Sequence, residues 1–338
     1  MKYAIYGFFF LFACSESKEI RVQRLLMQGN EMVELQNLDE GEKYFFGAIK
    51  LDSCFADAWN NLGSIYFQRK NYAKAIEYYN HAIACKPTYL QAFFNRANTF
   101  YELHEFYNAL KDLDKVSKMA ADTSSLYFLR GLAFTKMREF EKAISSFKRA
   151  QALDTANAEI LINIGTVLYY QKNFVEAEHL LREALKVKPN EPNIYNSLAM
   201  IKTELGQYSE ALDLVTKALA LKPDDAYFTN NRGYINLMMK EYSRALADID
   251  QSIRLDAYNG WAYRNKGIYY LMTGKYTEAV HLLIQAEGMD PFIEKIHFYL
   301  GESYAKTGDK NKACSNYKKA VDDRDLTLKE FFKLCEPG

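Results

Sequence analysis

Asn61, Asn95, Asn163, Asn231 and Asn265 stand 34 or 68 residues apart along this 338-residue chain. Asparagine fills 22 of the 338 positions, so chance would put fewer than one among nine equally spaced slots, not five. An asparagine amide presents a donor and an acceptor together, which matches the needs of a peptide bond. Helices pack about 8–10 Å apart, and an extended chain rises about 3.3 Å per residue. One amide per helix would therefore meet a bound strand at every third residue. The row reads as a ladder that holds a peptide backbone, with gaps at Leu129 and Ser197. The same spacing also suits amides that bridge neighbouring helices and bind nothing.

The interval belongs to the whole chain. Counting from Val22 gives nine units with no insertion or deletion: 22–55, 56–89, 90–123, 124–157, 158–191, 192–225, 226–259, 260–293 and 294–327. The eighth residue of each is Gly or Ala, as in Gly29, Gly63, Ala97 and Gly131. The twentieth is Ala in eight units and Gly41 in the first. Gly inside a helix costs about 1 kcal/mol against Ala, so its recurrence marks a close helix crossing. The seventeenth is aromatic in seven units, from Tyr72 to Tyr276. Gly206, Gly274 and Gly308 stand where a glycine should stop the first helix. Pro87, Pro189, Pro223 and Pro291 stand where the second should stop. Apolar residues recur at i, i+3, i+4 and i+7, and no stretch alternates with period two, so the chain is expected to be all-α.

In the second unit Trp59, Leu62, Gly63, Tyr66, Ala75, Tyr79, Ala82 and Pro87 hold positions 4, 7, 8, 11, 20, 24, 27 and 32. This pattern resembles the tetratricopeptide repeat (TPR), a helix-turn-helix unit of 34 residues. The resemblance covers about nine tenths of the chain. It implies an α-solenoid, a right-handed superhelix whose first helices line a concave groove. Residues 328–338 read as a C-terminal capping helix. The asparagine row resembles the ladder of protein O-GlcNAc transferase, where such side chains hold a substrate backbone. Carried over by position, the rungs are Asn61, Asn95, Asn163, Asn231 and Asn265. Aromatic residues share the groove positions, and Tyr234 and Trp261 are the expected ligand anchors. The Lys/Arg set with which some TPR domains clamp a partner's C-terminus is absent. Its nearest pieces are Arg264 and Lys295, and Arg264 joins the expected peptide contacts.

The amino terminus differs from the rest. Lys2 precedes an apolar run, Tyr3 to Ala13, that is too short to span a membrane as a helix. It fits the core of a signal peptide, residues 1–13. Leu11-Phe12-Ala13-Cys14 resembles the lipobox of bacterial lipoproteins, in which the Cys is lipidated and becomes the mature N-terminus. That resemblance implies a lipid anchor at Cys14 and a tether over residues 14–21. It also implies a bacterial envelope location, with Ser15 pointing to the outer membrane. An exported chain meets an oxidising space. Cys314 and Cys335 can then pair, since the tail helix should pack on the last unit.

Lys plus Arg equals Asp plus Glu at 43 each. The chain therefore lacks the basic field expected of a nucleic-acid binder. The five His are scattered, and no metal-binding, nucleophile or phosphate-loop motif occurs, so no catalytic residue, metal or cofactor is expected. The sequence thus points to a non-catalytic protein-protein interaction scaffold that binds an extended segment, and the resemblance to TPR lipoproteins implies a place in assembly of an envelope complex. The alternative is a binding protein that stacks a carbohydrate or other small ligand on the groove aromatics.

Overall fold

The computed structural model describes residues 17–119, 122–323 and 325–335. They form nineteen helices and no strand. Consecutive helices pack as antiparallel pairs, the solenoid architecture that the periodicity implies. The chain falls into two compact units, Met1–Thr155 and Ala156–Gly338. The N-terminal unit pairs α1 (Lys18–Glu34) with α2 (Leu38–Leu51) and α3 (Ala56–Gln68) with α4 (Tyr72–Cys85). It continues with α5 (Leu90–Glu102) and α6 (Phe106–Met119), then α7 (Ser124–Lys136) and α8 (Phe140–Leu153).

The C-terminal unit pairs α9 (Ala158–Tyr170) with α10 (Phe174–Val187) and α11 (Pro192–Glu204) with α12 (Tyr208–Leu221). Then come α13 (Ala226–Met238) and α14 (Tyr242–Leu255), and α15 (Gly260–Met272) and α16 (Tyr276–Met289). The last pair is α17 (Ile296–Thr307) and α18 (Lys310–Asp322), followed by α19 (Leu328–Cys335). No described helix is long and apolar enough to cross a membrane.

The small eighth residue has a specific partner, the twenty-fourth residue of the same unit. A Cβ on Gly131 would stand 2.5 Å from the Phe147 ring, and one on Gly301 would stand 2.5 Å from Tyr317. Phe45 and Tyr79 fill the matching places opposite Gly29 and Gly63. Rings at position 24 thus reach across the hairpin onto bare backbone. The seventeenth residue packs against the twelfth, as in Phe67–Tyr72, Tyr101–Phe106 and Tyr169–Phe174, with ring centroids 5.6–5.8 Å apart. Ion pairs within a hairpin include Arg96–Asp112 and Arg232–Asp248, each at 2.7 Å.

Every first helix except α1 and α17 begins where the 34-residue count places it. The helical φ reverses at the fifteenth residue of all nine units, the three expected glycines among them. The other six are Gln36, Lys70, His104, Arg138, Lys172 and Lys240, with φ of 57–63°. Packing on both sides of the turn holds these residues left-handed against their preference.

Two boundaries depart from the sequence reading. α1 starts at Lys18, inside the segment expected to be a tether, because the Ser17 hydroxyl caps it by accepting from the Ile20 amide at 3.3 Å. α17 starts at Ile296, two residues late. Lys295 has φ 60°, and its amide donates to Asp325 Oδ2 at 2.8 Å, a tertiary bond that displaces the first turn of that helix.

Candidate functional site

The asparagines form two relays of amide hydrogen bonds, one in each unit. In the N-terminal unit Gln91 donates to Asn95 (2.8 Å), Asn95 to Asn60 (3.0 Å), Asn60 to Asn61 (3.2 Å) and Asn61 to Asn30 (2.7 Å). In the C-terminal unit Arg264 donates to Asn265 (3.0 Å), Asn265 to Asn230 (2.9 Å), Asn230 to Asn231 (3.3 Å) and Asn231 to Asn196 (2.9 Å). Each step between helices joins neighbouring first helices. Asn61, Asn95, Asn231 and Asn265 thus bridge neighbouring first helices; Asn265 is buried in doing so, and the other three are half-buried. A side-chain amide at a close helix crossing is partly desolvated, and a fixed protein partner satisfies it. Asn163 differs. Its Nδ2 donates to Glu159 O within its own helix, at 2.8 Å.

The other expected contacts are also inside. Arg264 is 4% exposed and Tyr234 4%. The Arg264 guanidinium lies 5.0 Å from the Tyr234 ring, 5.3 Å from Trp261 and 5.4 Å from Tyr299. Such contacts favour a cation strongly once water is excluded. Burial opposes the charge, yet the groups around it, Tyr234 and Tyr299 first and then Glu294, hold the Arg264 pKa above its ordinary value. Burial also pushes the Tyr234 hydroxyl and the Glu294 carboxyl up.

Side chains at the ends of α9 and α11 reach the segments before α17 and after α18. Lys295 Nζ bonds Glu204 Oε2 at 3.0 Å, and Lys172 Nζ stands 3.8 Å from Asp325 Oδ1. Tyr234, Arg264 and Asn265 are therefore packing residues here, in place of the open groove contacts expected. Trp261 is half-buried against Arg264.

A recess opens between α9 and α11, where Ile162 and Ser197 interrupt the relay. It measures about 380 Å³ and is lined by Glu159, Ile162, Asn163, Thr166, Glu191, Asn193 and Ser197. Its donors are mostly turned inward. Asn163 donates to Glu159 O, Thr166 to Ile162 O at 2.9 Å, and Asn193 Nδ2 to Glu191 Oε1 at 2.8 Å. Lys188 reaches Glu159 from outside the lining, at 2.9 Å. Glu191 caps α11 by accepting from the Asn193 amide.

Residues 18–254 match the family model described as the Cilia and flagella-associated protein 70 C-terminal domain. The chain belongs to this family. Residues 264–325 match the tetratricopeptide repeat itself, so the family's TPR architecture continues towards the C-terminus. No curated protein matches the sequence. Among solved structures, the APC/C hetero-tetramer Cut9-Hcn1 is similar with a TM-score of 0.62 and 14% identity, over 95% of this chain and 63% of that one. The human IFIT1 dimer with m7Gppp-AAAA is similar with a TM-score of 0.56 and 18% identity, over 79% of this chain and 68% of that one. At these identities the likeness is one of fold.

The four described cysteines of this TPR chain meet in pairs. Cys314 on α18 and Cys335 on α19 are joined, with Cα atoms 5.5 Å apart, and Phe331 and Cys335 pack on the Ala313–Tyr317–Ala320 cluster. Cys54 and Cys85 form a second disulfide, Cα atoms 5.2 Å apart. The sequence reading did not single out this pair. Its signal was the separation of 31, close to one repeat, which brings successive inter-unit turns together. The adjacent pairs Asn60-Asn61 and Asn230-Asn231 were likewise the signal for a relay, since each supplies one amide forward and one back. Cys14 lies outside the described residues.

Proposed function

We propose that this chain is a non-catalytic TPR scaffold that docks an extended segment of a protein partner, at the recess between α9 and α11. The break in the amide relay carries this reading. Elsewhere the amides satisfy one another. Here Asn163 keeps its carbonyl oxygen for another donor, beside Ser197, in a polar hollow of about 380 Å³. That is the low end of the range for ligand pockets and suits a few residues of chain better than a globular surface. The aromatics that would stack a sugar are engaged with Arg264, which favours a peptide over a carbohydrate.

The finer context is an envelope one. In this reading Cys14 carries a lipid anchor, and the scaffold is held at a bacterial membrane, where it serves assembly of an envelope complex. Two disulfides between the four described cysteines support an oxidising compartment.

A photo-crosslinking amino acid in place of Thr166 tests the docking site in cells, with Lys217 on the outer surface of α12 as the control. The expected result is a discrete adduct from position 166 and none from 217. Equal labelling from both positions would remove the site. Palmitate labelling of the wild type, lost in Cys14→Ser, tests the anchor.

A further inference from the structure

We infer that the recess between α9 and α11 is a reader of basic side chains: it takes one Lys or Arg of the docked segment. This rests on the docking site proposed above and adds the chemistry of what enters it.

The charge around the hollow is all negative. Glu159 and Glu191 bring carboxylates and no Lys or Arg joins the lining. Asn163 gives one Nδ2 proton to Glu159 O and keeps its Oδ1 to accept, beside its second N–H. The Thr166 proton is committed to Ile162 O, which leaves the lone pairs of Oγ1. Asn193 gives one Nδ2 proton to Glu191 Oε1 and likewise keeps a carbonyl and a second N–H. A neutral peptide amide could meet the Asn and Ser groups but would bring no counter-charge to the carboxylates. An ammonium brings three donors and a guanidinium five, each with the positive charge that the two carboxylates lack within the lining. Ile162 offers an apolar surface for the methylene stem, the usual arrangement for a long basic side chain.

Lys188 occupies Glu159 from the rim, but its side chain is 40% exposed and can turn to water when a partner cation enters. Leu129 holds the position equivalent to Ser197 in the N-terminal unit and is 5% exposed, so an aliphatic side chain fits that slot in a helix of this type. Ser197 leaves the slot open.

The test is peptide display against the full chain, with a random decapeptide library as the probe. Wild type, the double variant Glu159→Gln/Glu191→Gln and Ser197→Leu are compared. The Gln pair keeps the size of the lining and the acceptor that caps α11, and circular dichroism checks that all three fold. The wild type should enrich Lys or Arg at one fixed place among retained peptides. The Gln pair should still retain peptides but lose that enrichment, and should weaken capture of a selected Lys peptide by about tenfold, the scale of one charge-assisted hydrogen bond. Ser197→Leu should weaken it at least as much. Peptides retained without a basic preference would overturn the inference and leave the docking reading standing. A basic preference that survives in the Gln pair would also overturn it. Retention of no peptide at all by a folded wild type would remove both.

Discussion

Replacing Asn265 with Ala tests whether the asparagine row is a structural device. Asn265 is 1% exposed and joins two partners: Asn230, whose Oδ1 it satisfies at 2.9 Å, and Arg264, whose Nη1 donates to it at 3.0 Å. Asn230 is itself 1% exposed and Arg264 4%, so water does not readily replace the lost amide. Each stranded buried group costs about 1–3 kcal/mol, and with two of them the variant should lose about 2–6 kcal/mol from the C-terminal unit. Asn163→Ala removes only a bond within one helix on a partly open side chain and should stay within about 0.5 kcal/mol of wild type.

The assay is urea unfolding followed by tryptophan fluorescence. The chain has two Trp, one in each unit, Trp59 and Trp261. In a Trp59→Phe background the signal comes from the C-terminal unit alone, which matters because repeat arrays can lose stability locally. A loss for Asn265→Ala no larger than that for Asn163→Ala would refute the structural reading of the relay.

Further expectations concern the frame and the pH. Gly131→Ala should destabilise, because the about 1 kcal/mol of helix propensity gained is outweighed by overpacking against the fully buried Phe147, about 1–3 kcal/mol. Gly288→Ala, with nothing within 4 Å, should stabilise, and thermal melts of the two should move in opposite directions. Lys70→Gly relieves a left-handed residue at φ 57° and should raise the urea midpoint by the equivalent of about 0.5–1 kcal/mol after the entropy penalty of glycine. Glu294 has its pKa raised by burial, so the folded state holds the proton more tightly than the unfolded one. Stability falls as pH climbs from the ordinary glutamate value, about 4.3, through the raised folded value. Glu294→Gln should therefore melt higher than wild type at neutral pH, with the gain vanishing in acid. Removing the Cys54–Cys85 disulfide, which spans 31 residues, should cost about 3 kcal/mol in the transition reported by Trp59 in a Trp261→Phe background.

The sequence by itself determined the hairpins. The eighth-position glycines, the aromatic at position 17 and the glycines and prolines at the helix ends act within one unit, over spans of a few turns. Their meaning can be read one repeat at a time. Even the six left-handed turns without glycine follow from the beat. The pairing of asparagines, the burial of Arg264 and the delayed start of α17 could not be read this way. Each depends on how far successive hairpins rotate against one another, and that rotation is the sum of many small packing differences between units. In the C-terminal unit it brings Glu204 to Lys295 and Lys172 towards Asp325, which turns expected groove contacts into interior ones. A regular spacing says which residues share a face. Only the curvature says whether that face opens to a partner or closes on itself, and in the C-terminal unit a recess remains beside the short side chain of Ser197.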